Sequence, residues 1–134
     1  MITAIDYFKG KETVTSSFLA GSVGVNPVII RSIMSQLREA GIIDISQGKS
    51  GITLARDISD ITFYDVYLAL GLREEDGLFH FHEHPNNNCP VGGNIQSAME
   101  GKLQSVQYSM EEQMKHITIA DVEGEVKRKV SFQG

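Results

Sequence analysis

Apolar residues recur along this chain in two rhythms, helical and alternating, and the changes of rhythm divide it into elements. Ile2, Ile5 and Phe8 stand at helical spacing and predict a short first helix ending at Gly10. Thr15 or Ser16 is placed to cap a second helix whose Phe18, Leu19 and Val23 turn inward. Gly24-Val25-Asn26 follows as a turn, with Gly24 suited to a positive φ. Asn26 then reads as an N-cap and Pro27 as the first helical residue, where a missing N–H costs nothing. In the helix up to Ala40, the residues Ile30, Ile33, Met34 and Leu37 form a core stripe. Val28, Arg31, Ser35 and Arg38 fall on another face, which is polar. Beyond Gly41, Ile42 to Ser46 and Ile52 to Leu54 are rich in β-branched residues, as paired strands are, and Gln47-Gly48-Lys49-Ser50-Gly51 joins them.

Asp60-Ile61-Thr62 leads into a helix with a capping box between Thr62 and Asp65, ending at Gly71. Arg73 to Pro90 is polar and turn-rich, with Asn86-Asn87-Asn88 predicted as its least structured part. From about Gly93 to Ile117 the apolar positions are Ile95, Met99, Leu103, Val106, Met110, Met114 and Ile117, always three or four apart. That is one stripe on one long helix, roughly 35 Å from end to end. A small domain cannot cover such a stripe, and the economical cover is the same helix from a second subunit. Thr118 to Val122 starts another short helix with its own capping residues.

The order helix, turn, helix, hairpin predicts a winged helix-turn-helix, whose usual work is to lay its second helix in the DNA major groove. The expected fold is mostly α with a small β-wing, plus a long C-terminal dimerisation helix. Residues 1–71 are assigned to the DNA-binding domain. Residues 72–134 are assigned to a linker, the dimerisation helix and the C-terminal helix.

Composition narrows the class. At 134 residues the chain holds one domain with a real core, and 41% hydrophobic against 22% charged residues marks it as globular. No apolar run approaches the roughly 20 residues of a membrane span, and no signal sequence opens the chain, so a cytoplasmic protein without membrane contact is expected. The net charge of −5 looks wrong for a DNA binder until it is divided. Residues 1–57 hold six lysines and arginines against five acidic residues, a balance of +1, and the remainder carries −6. Phosphate contact needs a local basic surface rather than a basic whole.

The candidate chemistry follows from these placements. Arg31, near the start of the second helix of the pair, is the leading DNA contact; a bidentate arginine–guanine pair carries about 1–3 kcal/mol of discrimination. Val28 can touch a thymine methyl, and Asn26 and Ser35 can donate to phosphates or bases, although capping and simple exposure account for them equally well. Lys49 at the wing tip can reach a minor groove or phosphate, with Gly48 permitting the turn. Cys89, the one cysteine, precedes the long helix, whose N-terminus favours a reactive thiolate; an inert thiol filling space is the plain alternative. His80, His82 and His84 alternate as ligands could, but their spacing matches no standard site, and neither metal nor cofactor is expected. Acidic clusters such as Glu111-Glu112 read as solvated faces. No phosphate loop, nucleophile elbow or nucleophile–base pair is present, so an enzyme is not expected.

Many short strings of this chain resemble, in order and spacing, the Rrf2 family of bacterial winged-helix transcriptional regulators. They are Leu19-Ala20, Val25-Asn26-Pro27-Val28, Arg31, Leu37-Arg38-Glu39-Ala40-Gly41, and Ile61-Thr62 with Asp65-Val66-Tyr67. His82, Pro85-Asn86, Cys89-Pro90-Val91-Gly92 and Ile117-Thr118-Ile119-Ala120-Asp121-Val122 continue the series over almost the whole chain. Within the family it looks most like the single-cysteine Bacillus-type branch. The resemblance implies a homodimer that binds a pseudo-palindromic operator in double-stranded DNA through its second helix and wing. Three departures stand out. The first helix is short by the family's standard and reads as truncated, the wing keeps Lys49 as its only cation, and Cys89 stands alone where cluster-binding members hold three cysteines. The expected function is thus a sequence-specific repressor, redox-responsive through Cys89, with its dimer seam at Ile95, Met99, Leu103, Val106, Met110 and Met114. The acidic balance and poor wing charge favour the rival reading, a winged-helix protein–protein adaptor.

Overall fold

In a computed structural model, the structure describes residues 1–46, 51–72 and 86–133. Six helices and one small sheet are described among them. α1 (Ile2–Phe8) is followed by α2 (Ser16–Val23) and α3 (Pro27–Glu39), then strands β1 (Ile43–Ile45) and β2 (Ile52–Leu54). A 3-10 turn at Ile58–Asp60 precedes α4 (Phe63–Ala69), and α5 (Ile95–Met114) and α6 (Ile119–Gln133) complete the chain. The fold is mostly α with a two-stranded wing. β1 and β2 pair antiparallel with Ile43 opposite Leu54 and Ile45 opposite Ile52.

Local chemistry sets each boundary. The Thr15 hydroxyl accepts the Phe18 N–H at 3.1 Å and opens α2. Gly24 closes it at φ 77°, a left-handed conformation that costs glycine nothing. Thr62 and Asp65 form a full capping box on α4, the hydroxyl accepting from Asp65 N–H and the carboxylate from Thr62 N–H. Thr118 and Asp121 repeat that box on α6. The wing is tied to the body at its base: Ile52 N–H donates to Val14 O at 2.9 Å. Gly51 must be glycine there, because a Cβ would lie 2.4 Å from Val14 O.

The core gathers Ile5 from α1, Leu19 from α2, Ile30 and Leu37 from α3, Ile42 and Ile43 at the strand, and Ile61 before α4, all of them buried. α6 returns to pack against α1 and the 3-10 turn. α5 reaches the body through its C-terminal half. There Glu111 accepts from Tyr67 Oη of α4 at 3.3 Å and from Gln107 Nε2 at 3.1 Å.

Three expectations need correction. Val23 does not turn inward but stays 43% exposed, because it is the last residue of α2 and the chain leaves the body at Gly24. Glu111 is not part of a solvated face; it is buried, since its partner Tyr67 lies 44 residues away in sequence and only folding unites them. Its neighbour Glu112 is half-buried and pairs with Lys115 at 2.7 Å. The C-terminal helix is not short, extending over 15 residues. The 3-10 turn, capped by Asp57 accepting from Ser59 N–H, is an element that periodicity cannot reveal at three residues.

Candidate nucleic-acid interface

α3 is amphipathic by sequence, and its apolar face decides how it sits. Ile30, Met34 and Leu37 are buried and Ile33 half-buried, so the opposite face is turned outward. α2 and α3 meet at 112°, within the roughly 90–120° of helix-turn-helix pairs. The N-terminus of α3 is fixed twice. Asn26 Oδ1 accepts the Val28 N–H at 2.8 Å, and Pro27 occupies the first position with φ pre-set for a helix.

The outward strip carries Val28, Arg31, Ser35 and Arg38, all exposed as expected, with Val28 at 67%. Arg31 Nε donates to Pro27 O at 3.3 Å, which lays the guanidinium along the first turn of α3. Asn26 is also exposed, though its side-chain oxygen is committed to the cap, leaving its amide N–H groups to donate outward. Ile29, Ser32 and Glu39 share the exposed surface and were not singled out from sequence. Ser32 and Glu39 stand four and eleven residues after Val28, so counting the helical period from Val28 finds both. Gly48 and Lys49 lie outside the described residues, as do His80, His82 and His84.

Elsewhere among the described residues of the winged module the cations are engaged. Arg56 Nη2 bonds Asp60 O and pairs with Asp65 Oδ2 at 3.2 Å. Lys9 pairs with Asp6 at 2.9 Å, and Lys11 lies 4.4 Å from the Tyr7 ring centroid. Burial pushes the Asp65 carboxyl up, yet the bonds from Thr62 and the Arg56 guanidinium hold it net below its ordinary value. These contacts brace the frame of the module.

Along α5 the predicted stripe is present and largely uncovered. Ile95 and Met99 are exposed, Val106 is 55% exposed, and Leu103, Met110 and Met114 are half-buried. Met114 also lines an apolar hollow of about 410 Å³ with Ile33, Leu37, Phe63, Leu70 and Leu72. Cys89 is half-buried in the turn ahead of α5. The N–H groups of Gly92 and Val91 point at its sulfur and hold the thiol below its ordinary pKa. Among the described residues no group of three histidine, cysteine or carboxylate side chains is gathered as a metal site would require, and no single helix is long and apolar enough to cross a membrane.

Comparison with known proteins agrees with this geometry. Residues 1–125 match the Rrf2 family, described as an iron-dependent transcriptional regulator. YwnA of Bacillus subtilis (strain 168), named as an HTH-type transcriptional regulator, is 40% identical over 111 residues, 83% of this chain and 82% of the relative. A crystal structure of a protein described as DNA-binding superposes with a TM-score of 0.69 at 31% identity, covering 90% of this chain and 93% of that one. IscR of T. potens superposes with a TM-score of 0.64 at 22% identity, covering 93% and 79%, and shares the fold. The donor set here does not fit an iron–sulfur cluster, because Cys89 is the one thiol in the 134 residues and such clusters need several.

Proposed function

The chain belongs to the Rrf2 family of transcriptional regulators, whose members are not enzymes, and from that premise we propose a homodimeric, sequence-specific DNA-binding repressor of the cytoplasm. The observation that carries this reading is the outward face of α3. It is held rigid by the Asn26–Pro27 start and presents Arg31, Val28, Ser32 and Ser35 at the end of the helix that normally meets base edges. Arg31 reads a guanine, Val28 contacts a thymine methyl, and Ser35 and the Asn26 amide anchor phosphate or base edges. Lys49 and Gly48 at the hairpin tip serve the wing contact. Residues 1–71 form the reading module in this scheme, and 72–134 the dimer arm.

Dimerisation is supported by the α5 stripe. Ile95, Met99, Leu103, Val106, Met110 and Met114 lie along one side of a 20-residue helix whose one buried side chain is the Glu111 carboxylate. A second copy removes that apolar edge from water and sets two α3 helices about 34 Å, or a multiple of it, apart on a pseudo-palindromic operator. Redox control through Cys89 is supported by the two N–H groups aimed at its sulfur, which raise the thiolate fraction at neutral pH. The test is gel retardation of DNA fragments from the source genome, beginning with the chain's own upstream region. A repressor shifts a discrete fragment, loses affinity steeply as salt rises, and loses its preference for that fragment on Arg31→Ala. Absence of retardation by the intact dimer, with partner binding that ignores salt, would instead make it a protein–protein adaptor.

A further inference from the structure

The most unusual chemistry outside the DNA-reading face is a pair of carboxyl groups buried where α6 meets α1. Glu123 is 2% exposed and Asp6 9%, and the two side chains are within hydrogen-bonding reach of each other. Acidic side chains are almost never buried without a partner. Lys127 Nζ approaches Glu123 Oε1 to 3.1 Å, and Lys9 Nζ approaches Asp6 Oδ1 to 2.9 Å, each from the solvent side of the pair. Yet neither Glu123 oxygen receives a well-directed hydrogen bond. Two ionised carboxylates offer each other only acceptors; a single proton between them supplies the donor that the geometry lacks.

We propose that Asp6 and Glu123 share one proton and form a pH-sensitive latch that holds the C-terminal helix against the first helix of the winged module. When the proton leaves, two negative charges face each other in a poorly hydrated seam. The charged groups acting on the pair are Lys9 at the end of α1 and Lys127 from α6, with Asp57 at the 3-10 turn also acting on Lys9. Both lysines are largely exposed, so water screens them and they offset the repulsion only in part.

The direction of the pH dependence follows. Burial, and then the Asp6 contact, raise the Glu123 carboxyl above its ordinary 4.5. Its contribution is full below 4.5 and is lost as pH climbs through the raised value. The hydrogen bond from Glu123 lowers Asp6 below its ordinary 3.8, so its contribution is present above 3.8 and lost as pH falls through the lowered value. The latch is tightest between the two values and slackens on the alkaline side of the Glu123 transition. Each pH unit by which Glu123 titrates high corresponds to about a tenfold change in the closing constant.

Carboxyl carbon chemical shifts of the full chain, followed from about pH 2 to 9 so that both transitions are covered, test this directly. The expected result is Glu123 titrating above 4.5 with an inflection shared by Asp6. In Asp6→Asn the new amide donates to Glu123, and its transition falls below that of the natural chain, with burial alone left to hold it up. In Glu123→Gln the Asp6 curve becomes a single step. Hydrogen exchange in α6, corrected for the intrinsic pH dependence of amide exchange, loses protection through the Glu123 transition in the natural chain, by a factor of about ten for each unit that Glu123 is measured above 4.5, and stays level in Glu123→Gln. Glu123 titrating at or below its ordinary value in the natural chain overturns the latch, as do parallel protection curves for the two proteins. Should Glu123→Gln fail to fold, the Asp6→Asn titration still decides the matter.

Discussion

α3 and α5 are both amphipathic helices, and they differ in whether the chain supplies something for the apolar side to rest on. The inner side of α3 meets residues from α2, α4 and β1, leaving its polar face outward and its orientation fixed. The stripe of α5 meets α4 near its C-terminal end, and at Ile95, Met99 and Val106 it faces water. The lesson is that one helix finds its apolar partners within the chain, whereas the other leaves part of its apolar edge in water, the edge that the proposed dimer would cover. Substitutions on the two helices therefore fail in different ways.

The sharpest break should come at Leu37, buried against the module's core. Leu37→Ala removes contacts that the chain itself provides and is expected to cost about 2–5 kcal/mol. A lower urea midpoint with unchanged slope records it, and a midpoint within error of the natural chain would contradict the core assignment. Val106→Glu on α5 is expected to leave far-ultraviolet dichroism unchanged. It should weaken dimerisation by about 3 kcal/mol, on the order of 100-fold, because an unpaired charge would enter an apolar seam. Sedimentation velocity across a concentration series reads the shift, and an unaltered dimer would remove Val106 from the interface.

How much of this was legible in the sequence depends on the range of the cause. Caps and periodic faces are local, so the Asn26–Pro27 start, the Thr62–Asp65 box and the Ile30–Leu37 stripe all stand where their spacing puts them. The carboxylates show the opposite case. Glu111 and Glu123 look like surface charges in one dimension, yet each is buried against a residue from a distant element, Tyr67 and Asp6. The length of α6 was hidden too, since Gly124 and the run Lys127-Arg128-Lys129 dilute a stripe of Val122, Val126 and Val130 that continues at four-residue steps. At the interface, exposure of the α3 face was legible from periodicity, whereas the bond from Arg31 to Pro27 O was not.

Arg31→Ala sharpens the comparison from the α3 side, because it should alter recognition without altering the fold. Loss of the base contact is expected to cost about 1–3 kcal/mol on the bound operator, roughly 5- to 150-fold. The loss on unrelated DNA should be much smaller, and the urea midpoint should not move. Equal losses on both DNAs would turn Arg31 from a reader of bases into a phosphate contact.

The smallest effect is the most diagnostic of how α3 is set in place. Asn26 accepts the Val28 N–H at the start of the helix, and its side chain is otherwise exposed. Asn26→Ala removes that acceptor and is expected to cost about 1 kcal/mol of stability. Asn26→Asp keeps the acceptor and adds a negative charge beside the positive end of the helix dipole, so stability should hold or rise slightly near neutral pH. In the proposed complex the same charge would face the phosphate backbone, so operator affinity should fall although the fold is intact. If Asn26→Asp binds operator as tightly as the natural chain, the cap is structural and the DNA does not approach the first turn of α3. If both fall together, the residue joins the two roles on which the outward face of α3 depends.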